Sequence, residues 1–472
     1  MFDPVIAPSG TLLGLLQRGR GDGTLHALAA PRPEALAALN HCVLDDPRQD
    51  WQVENRSLYY ARLYLDLDGG LDAIERHLFD PRDLVDDDEG RTGLALAVLG
   101  HLASYGRGDA LVLLRRYART GANWTWALDE LALRDDDAGL RGLAASVLAR
   151  FPGGPEGDAA LAAAVRDAFE PRPWRLWSED PRESVGARVR AAREQGSFHH
   201  WQRQMSPTGP RPEWSVQAVF DWAQQGLDRG TPLHVPAARC LGAVAAPADR
   251  AAIVEAARGG PDGARCTALH YLAESRDPVL LDLVESAVRG PSRTVADAAV
   301  AAFERMCGDD AVDRARGWVH RPDALGASAA GVLACRGGAE DAPLVLGALR
   351  ETVRADGPDA PHLWTLVDGA GRLGIRAAAP VLRHVYRETA SSHLRGRAAR
   401  ALAATDPSFA TGFAVECLWD CEETTRELAA LHAETGDARV AERLRRLAAD
   451  PAEEAEVQTA VRSRIGPDAP AV

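Results

Sequence analysis

The feature that most constrains this chain is a pattern that returns about every thirty residues through its C-terminal half. Small residues followed by a large apolar one recur at Ala238 to Leu241, Leu269 to Leu272, Val300 to Phe303 and Ala330 to Leu333. The steps between their last residues are 31, 31 and 30; after one step of 40 the pattern resumes at Leu373, Leu402 and Leu431, each 29 apart. A unit this short cannot bury its own apolar face, so neighbouring units must stack. The period predicts an all-α fold, an α-solenoid in which antiparallel helix pairs stack into a superhelix.

One unit shows how the pairs arise. Over 264–291, Ala268, Leu269 and Leu272 form a first apolar stripe. Arg276, Asp277 and Pro278 make the turn, with Asp277 placed to cap the second helix and Pro278 suited to its first turn. Leu280, Leu283, Val284, Ala287 and Val288 then repeat at helical spacing, and Arg289, Gly290 and Pro291 close the unit. The composition agrees: apolar residues are 46% of the chain and mainly Ala, Leu and Val, while aromatics are 6%. Such a supply suits close helix packing better than a sheet core.

The organisation along the chain reads in five parts: an N-terminal helical cap (1–50), irregular helix pairs (51–152), a Pro/Trp/Arg-rich insertion with short helices (153–232), regular repeats (233–450), and a tail (451–472) read as partly disordered. The clustered aromatics Trp51, Tyr59, Tyr60 and Tyr64 are expected to seal the first repeat. Acidic runs at Asp86 to Glu89 and Asp135 to Asp137 precede helices and lack the alternating spacing of a calcium loop, so they read as caps.

All 54 basic residues are Arg, and the net charge is −14. Nucleic-acid affinity comes from neutralising phosphates, so this balance argues against a general nucleic-acid binder and favours a protein partner. Seven Cys with no CxxC spacing read as reduced core thiols. No apolar run approaches membrane-spanning length, and Met1 to Gly10 lacks the pattern of a secretory signal, so the expectation is a cytoplasmic protein with no membrane association.

The repeated units resemble HEAT repeats, and more closely the short HEAT-like repeats of the phycobilisome-lyase type. The likeness rests on the small-x-x-Leu cores, the Gly/Asp turns and the Leu-rich second helices; 430–444, with Leu431, Gly436, Asp437 and Leu444, is one instance. It spans 90–150 loosely and 233–448 well, and the whole pattern is similar to uncharacterised actinobacterial HEAT-repeat proteins. The resemblance speaks to fold and hardly to activity; the recurring helix pairs lead to the expectation of a non-enzymatic protein-interaction scaffold or adaptor, and the lack of His-Glu dipeptides and CxxC pairs to that of no cofactor and no metal. Three HEAT-like families carry chemistry. Bilin lyases leave no trace in the repeats. Iron-dependent deoxyhypusine hydroxylases use His-Glu dipeptides, and none of the 13 His here precedes Glu. HEAT-like alkylpurine DNA glycosylases use a Trp and an Asp in a basic cleft; the pairs Trp364/Asp368 and Trp126/Asp129 have helical spacing. The alternative function is therefore a nucleic-acid-binding module or such a glycosylase, using the Arg/Trp-rich segment or the concave face.

No catalytic residue is assigned, because neither a nucleophile elbow nor a phosphate loop is complete. His384, Glu388 and His393 form only a loose metal-like set, and Cys417 and Cys421 lack the second pair a zinc site needs. One stretch departs from the scaffold: 171–212 holds eight Arg against four acids. Trp and Arg dominate interface hot spots. The partner-binding candidates are thus Arg172, Trp174, Arg175, Trp177, Trp201 and Arg203, with at least one of the three Trp expected to face solvent. The competing reading is that the Trp rings fill space between helices.

Overall fold

The computed structural model describes residues 6–48, 54–82, 84, 88–205 and 214–465; within the helix Glu183–Met205, the side chains from 196 on lie outside that description. Among the described residues there are 28 α-helices, three short 3-10 turns and no strand. The chain is all-α. No helix among the described residues is long and apolar enough to cross a membrane.

Side-chain caps set many helix starts. Asp88 and Asp136, from the two acidic runs, accept hydrogen bonds from the amides of Gly90 and Gly139, and Ser215, Ser292 and Asp323 do the same for three further helices. At the turn before Val279–Val288, Asp277 accepts from the amide of Val279 at 3.0 Å. Behind these caps the periodic residues go inside: Leu280, Leu283, Val284 and Ala287 are buried on one side of that helix.

The molecule divides into two compact units. One comprises Pro207–Val385 and Arg400–Asp406. In it the first helices of successive pairs pack in order: His234–Val244 on Asp262–Glu274, then Arg293–Arg305, Ala324–Arg336 and Leu363–Arg372. The pattern residues Leu241, Leu272, Phe303, Leu333 and Leu402 are all buried here. A polar device joins the layers as well. Arg336 donates to the carbonyls of Glu304 and Met306 at the end of the preceding first helix, and Arg372 donates to those of Ala334 and Gly337. A cation on the free carbonyls of a helix C-terminus satisfies them and opposes the helix dipole.

The other unit comprises Met1–Ser206, Tyr386–Ala399 and Pro407–Val472, so it is built from both ends of the chain. The same Arg device appears in it, with Arg464 donating to Ala433 and Arg150 to Gly121. Tyr59, Tyr60 and Tyr64 are core residues whose hydroxyls donate to Arg20 O, Leu16 O and Asn40 Oδ1. Trp51 lies outside the described residues. The pattern slips at two of its residues. Leu373, just past the helix Leu363–Arg372, is only half-buried. Leu431 is 44% exposed, because the buried stripe of Glu423–His432 runs through Thr425, Arg426, Ala429 and Ala430, one residue short of it. Of the 451–472 stretch, Ala455–Ile465 is a helix with Val457, Ala460 and Val461 buried, and 466–472 lie outside the described residues.

What joins the two ends is mostly charge. Arg395 and Arg426 are among the largest fully buried side chains. Arg395 grips Asp420 through two bonds of 2.7 and 3.0 Å and also reaches Gly19 O, which accepts the amide of Cys421 at 2.9 Å. Arg426 grips Glu453 at 2.9 and 2.6 Å and donates to the carbonyls of Asp420 and Cys421. Arg62 meets Asp450 at 2.7 Å and Glu453 at 3.1 Å, while Arg20 meets Glu416 at 2.7 Å. Burial works against the charge on Arg395, and Asp420 beside it more than restores it, so the guanidinium stays firmly protonated.

Two glycines permit this approach. At Gly19, φ is +65°, and a Cβ would stand 2.4 Å from the Cys421 sulfur; at Gly21, one would stand 1.9 Å from the carbonyl oxygen of Glu416. Helix propensity alone favours Gly21→Ala. We expect the opposite: because the obstacle is backbone, the variant should lose about 1–3 kcal/mol in urea denaturation. Arg395→Met should cost about 3–5 kcal/mol, because it strands a buried Asp420 carboxylate, and adding Asp420→Asn should recover a large part of that loss.

Candidate functional site

A cavity of about 770 Å³ opens inside the unit that both chain ends build. That volume suits one small organic molecule or a few inserted side chains. The floor of the site is the helix Trp124–Arg134, which contributes Trp124, Trp126, Leu128, Asp129 and Glu130. The start of this helix is fixed by Asn123, whose amide donates to Thr92 Oγ1 at 2.9 Å. The Trp124 ring meets Phe151 and Trp174 edge to face, at 5.9 and 6.3 Å between centroids, and the Arg150 guanidinium lies 5.5 Å from its centre. Phe169, 80% exposed, stands at the rim.

The wall carries eight carboxylates and no Arg among the described residues. Five of the eight are already engaged, Glu89 among them. Glu54 accepts the amide of Ser392 at 2.6 Å and faces Arg48 and Arg56. Glu130 pairs with Arg134, Asp167 with Arg166, and Glu422 with the His393 ring nitrogen at 3.3 Å. Asp129 accepts only the amide of Glu170, and Glu423 and Glu454 have no cationic partner among the described residues. The cavity thus holds more negative charge than its own surroundings balance.

Burial shows in the titration of the floor. Burial, aided by the neighbouring Glu170 charge, pushes Asp129 up to about 6, although the Glu170 amide pulls the other way. Burial pushes Glu130 up to about 7, with Arg134 opposing and Asp129 reinforcing the rise. Glu422 is raised too, by burial and by Glu423. His101, also in the wall, is driven down to about 4 by burial and by Arg134 and Arg62, so it is neutral at physiological pH. Glu130 Oε2 accepts no hydrogen bond even though Arg134 Nη1 lies 2.6 Å away; the pair is an ion contact with poor hydrogen-bond angles.

Of the partner-binding candidates, Trp174 and Trp177 are buried, at 3% and 0% exposure. They pack edge to face at 4.9 Å, and Trp177 Nε1 donates to Leu140 O. Neither is solvent-accessible, because the short helix Arg172–Ser178 presses them against the helices before it. Trp174 nonetheless forms part of the cavity wall. Arg172 is held by the carbonyls of Ala132 and Asp135 and by Asp137, whereas Arg175 is exposed. The side chains of Trp201 and Arg203 lie outside the described residues. Trp126 and Asp129 do meet at one wall; the Glu388 carboxylate accepts from Ser9, and His393 faces Glu422. Cys417 is buried against the Tyr386 hydroxyl and Cys421 against Gly19. No group of three or more His, Cys, Asp or Glu with metal-holding geometry occurs among the described residues.

The chain matches no protein-family model and no curated protein.

Glu130 gives the cavity floor a pH signature. Its folded pKa of about 7 exceeds its ordinary 4.5, so the folded state keeps a proton that the unfolded chain releases. The stabilisation is complete below pH ~4.5 and is lost as pH rises through ~7. Glu130→Gln has no such proton. The stability of the natural chain relative to this variant should fall between those limits by on the order of 3 kcal/mol, read from melting temperatures at stepped pH.

Proposed function

We propose that the protein is a non-enzymatic interaction scaffold, a solenoid of HEAT-like helix pairs, that holds a basic segment of a partner protein at the acidic cavity. The observation that carries this reading is the uncompensated charge there: of eight wall carboxylates, Asp129, Glu423 and Glu454 have no cationic partner among the described residues, and they share the wall with three Trp and an exposed Phe and with no Arg among the described residues. The alternate stacking of first helices and the Arg ties between successive pairs support the repeat architecture. Of the Arg/Trp segment, Trp174 lies in the wall of this site. Seven free thiols, five of them buried, suit a reducing compartment such as the cytoplasm.

One observation favours a second reading, a HEAT-like alkylpurine glycosylase: Trp126 and Asp129 share the cavity wall. The surrounding carboxylates weigh against it, since they repel the phosphates of any duplex brought to the opening.

The test is anisotropy with a labelled peptide of alternating Lys and Gly, beside an acidic peptide and alkylated duplex DNA. We expect saturable binding of the basic peptide at low salt, weakened roughly tenfold by Glu423→Gln/Glu454→Gln, and none of the other two. No binding of the basic peptide overturns the scaffold reading. Release of free base from the alkylated duplex establishes the second.

A further inference from the structure

We propose that the cavity of the unit built from both chain ends is a binding site for a linear aliphatic polyamine-type cation, in which ammonium groups are separated by methylene stems. The inference rests on taking this cavity as the functional site, and it goes on to specify the ligand. Three carboxylates in the wall lack a cationic partner among the described residues, and they come from three places in the fold: Asp129 from the Trp124–Arg134 helix, Glu423 from Glu423–His432, and Glu454 just before Ala455–Ile465. No three acids among the described residues are grouped so as to hold one metal ion, which favours a ligand whose own charges are spread apart over a single compact ion.

Beside Asn55, Ser57, Thr125 and two His, the rest of the wall is apolar and aromatic. Trp124, Trp126, Leu128, Ala164 and Phe169 share it with the acids. Aromatic faces attract ammonium groups, and methylene stems bury well against them. A small inorganic dication has no use for such walls and prefers to keep its water. An anion is excluded by the charge. The two oxygens of Asp129 have one protein donor between them, so acceptor capacity faces the cavity.

Such a cation reaches the site either as a free polyamine or as neighbouring Lys side chains of a partner. Titrating the full chain with spermidine, followed by calorimetry and by the fluorescence of the wall Trp residues, separates these sources when the Lys/Gly peptide is run in parallel. We expect saturable spermidine binding near one per chain, insensitive to magnesium chloride at matched ionic strength. It should weaken roughly tenfold in Glu423→Gln/Glu454→Gln and in Trp126→Ala, with both variants checked for a native melting transition. Peptide binding that spermidine displaces identifies the partner side chains as the source. Spermidine binding without peptide binding identifies the free amine; the pocket then stands and the scaffold reading falls. Absence of saturable spermidine binding at low salt overturns the proposal, as does displacement by magnesium at matched ionic strength, or an affinity unchanged in the two variants. Peptide binding that spermidine does not displace, in a chain that does not bind spermidine, leaves the scaffold reading intact and removes the pocket.

Discussion

The structure of the end-built unit depends on guanidinium groups buried against carboxylates. Arg395 with Asp420 and Arg426 with Glu453 are removed from water almost entirely. Such pairs persist only where the geometry is good and the remaining donors find acceptors. Both conditions hold for Arg426: two bonds go to Glu453, and a third nitrogen reaches two backbone carbonyls. The arrangement has a cost. Arg443 lies near Arg62 and Arg426, and burial together with their repulsion pulls it down to about 9. Apolar burial alone would let the two ends slide against one another, whereas a bidentate pair has one register.

The same pairs shape the cavity. Glu54 is both a wall residue and a partner of Arg48 and Arg56, and its carboxylate anchors the amide of Ser392. Glu422 accepts from the Ser392 hydroxyl and meets His393, again in the wall. Two of the eight wall acids therefore belong to the joint between chain ends. The cavity exists because that joint closes one side of it, and its negative excess comes from acids such as Glu423 and Glu454 that adjoin joint residues without a guanidinium of their own.

The helix pairs were legible in the sequence because their signal is local. A stripe such as Leu280, Leu283, Val284 and Ala287, a cap such as Asp277 and a stop such as Gly290 all act within one unit, and the buried positions follow. The slip at Leu431 marks the limit of that logic: a single residue of offset at the start of a helix turns the expected core residue outward. The joint was not legible, since Arg20 and Glu416 lie 396 residues apart and no spacing rule connects them. A faint signal existed in the two glycines, Gly19 and Gly21, either side of Arg20, which a surface loop does not require. The cavity was half visible. Trp126 and Asp129 stood out by spacing, but the acids from the far end of the chain were unassignable without the fold, and Trp174 and Trp177 drew attention for a binding role when they mainly pack.

Because residues 1–206 share a unit with 386–399 and 407–472, the polypeptide leaves that unit before finishing it and returns some 180 residues later. On the ribosome, the N-terminal segment must therefore wait, with Arg20 and Arg62 still without their distal partners, until the residues as far as Glu453 have been made. Closing so long a loop is slow relative to forming a helix pair, and it comes last. A nascent chain thus has no assembled cavity: the site comes into being only once the residues from His393 to Glu454 that line it have emerged.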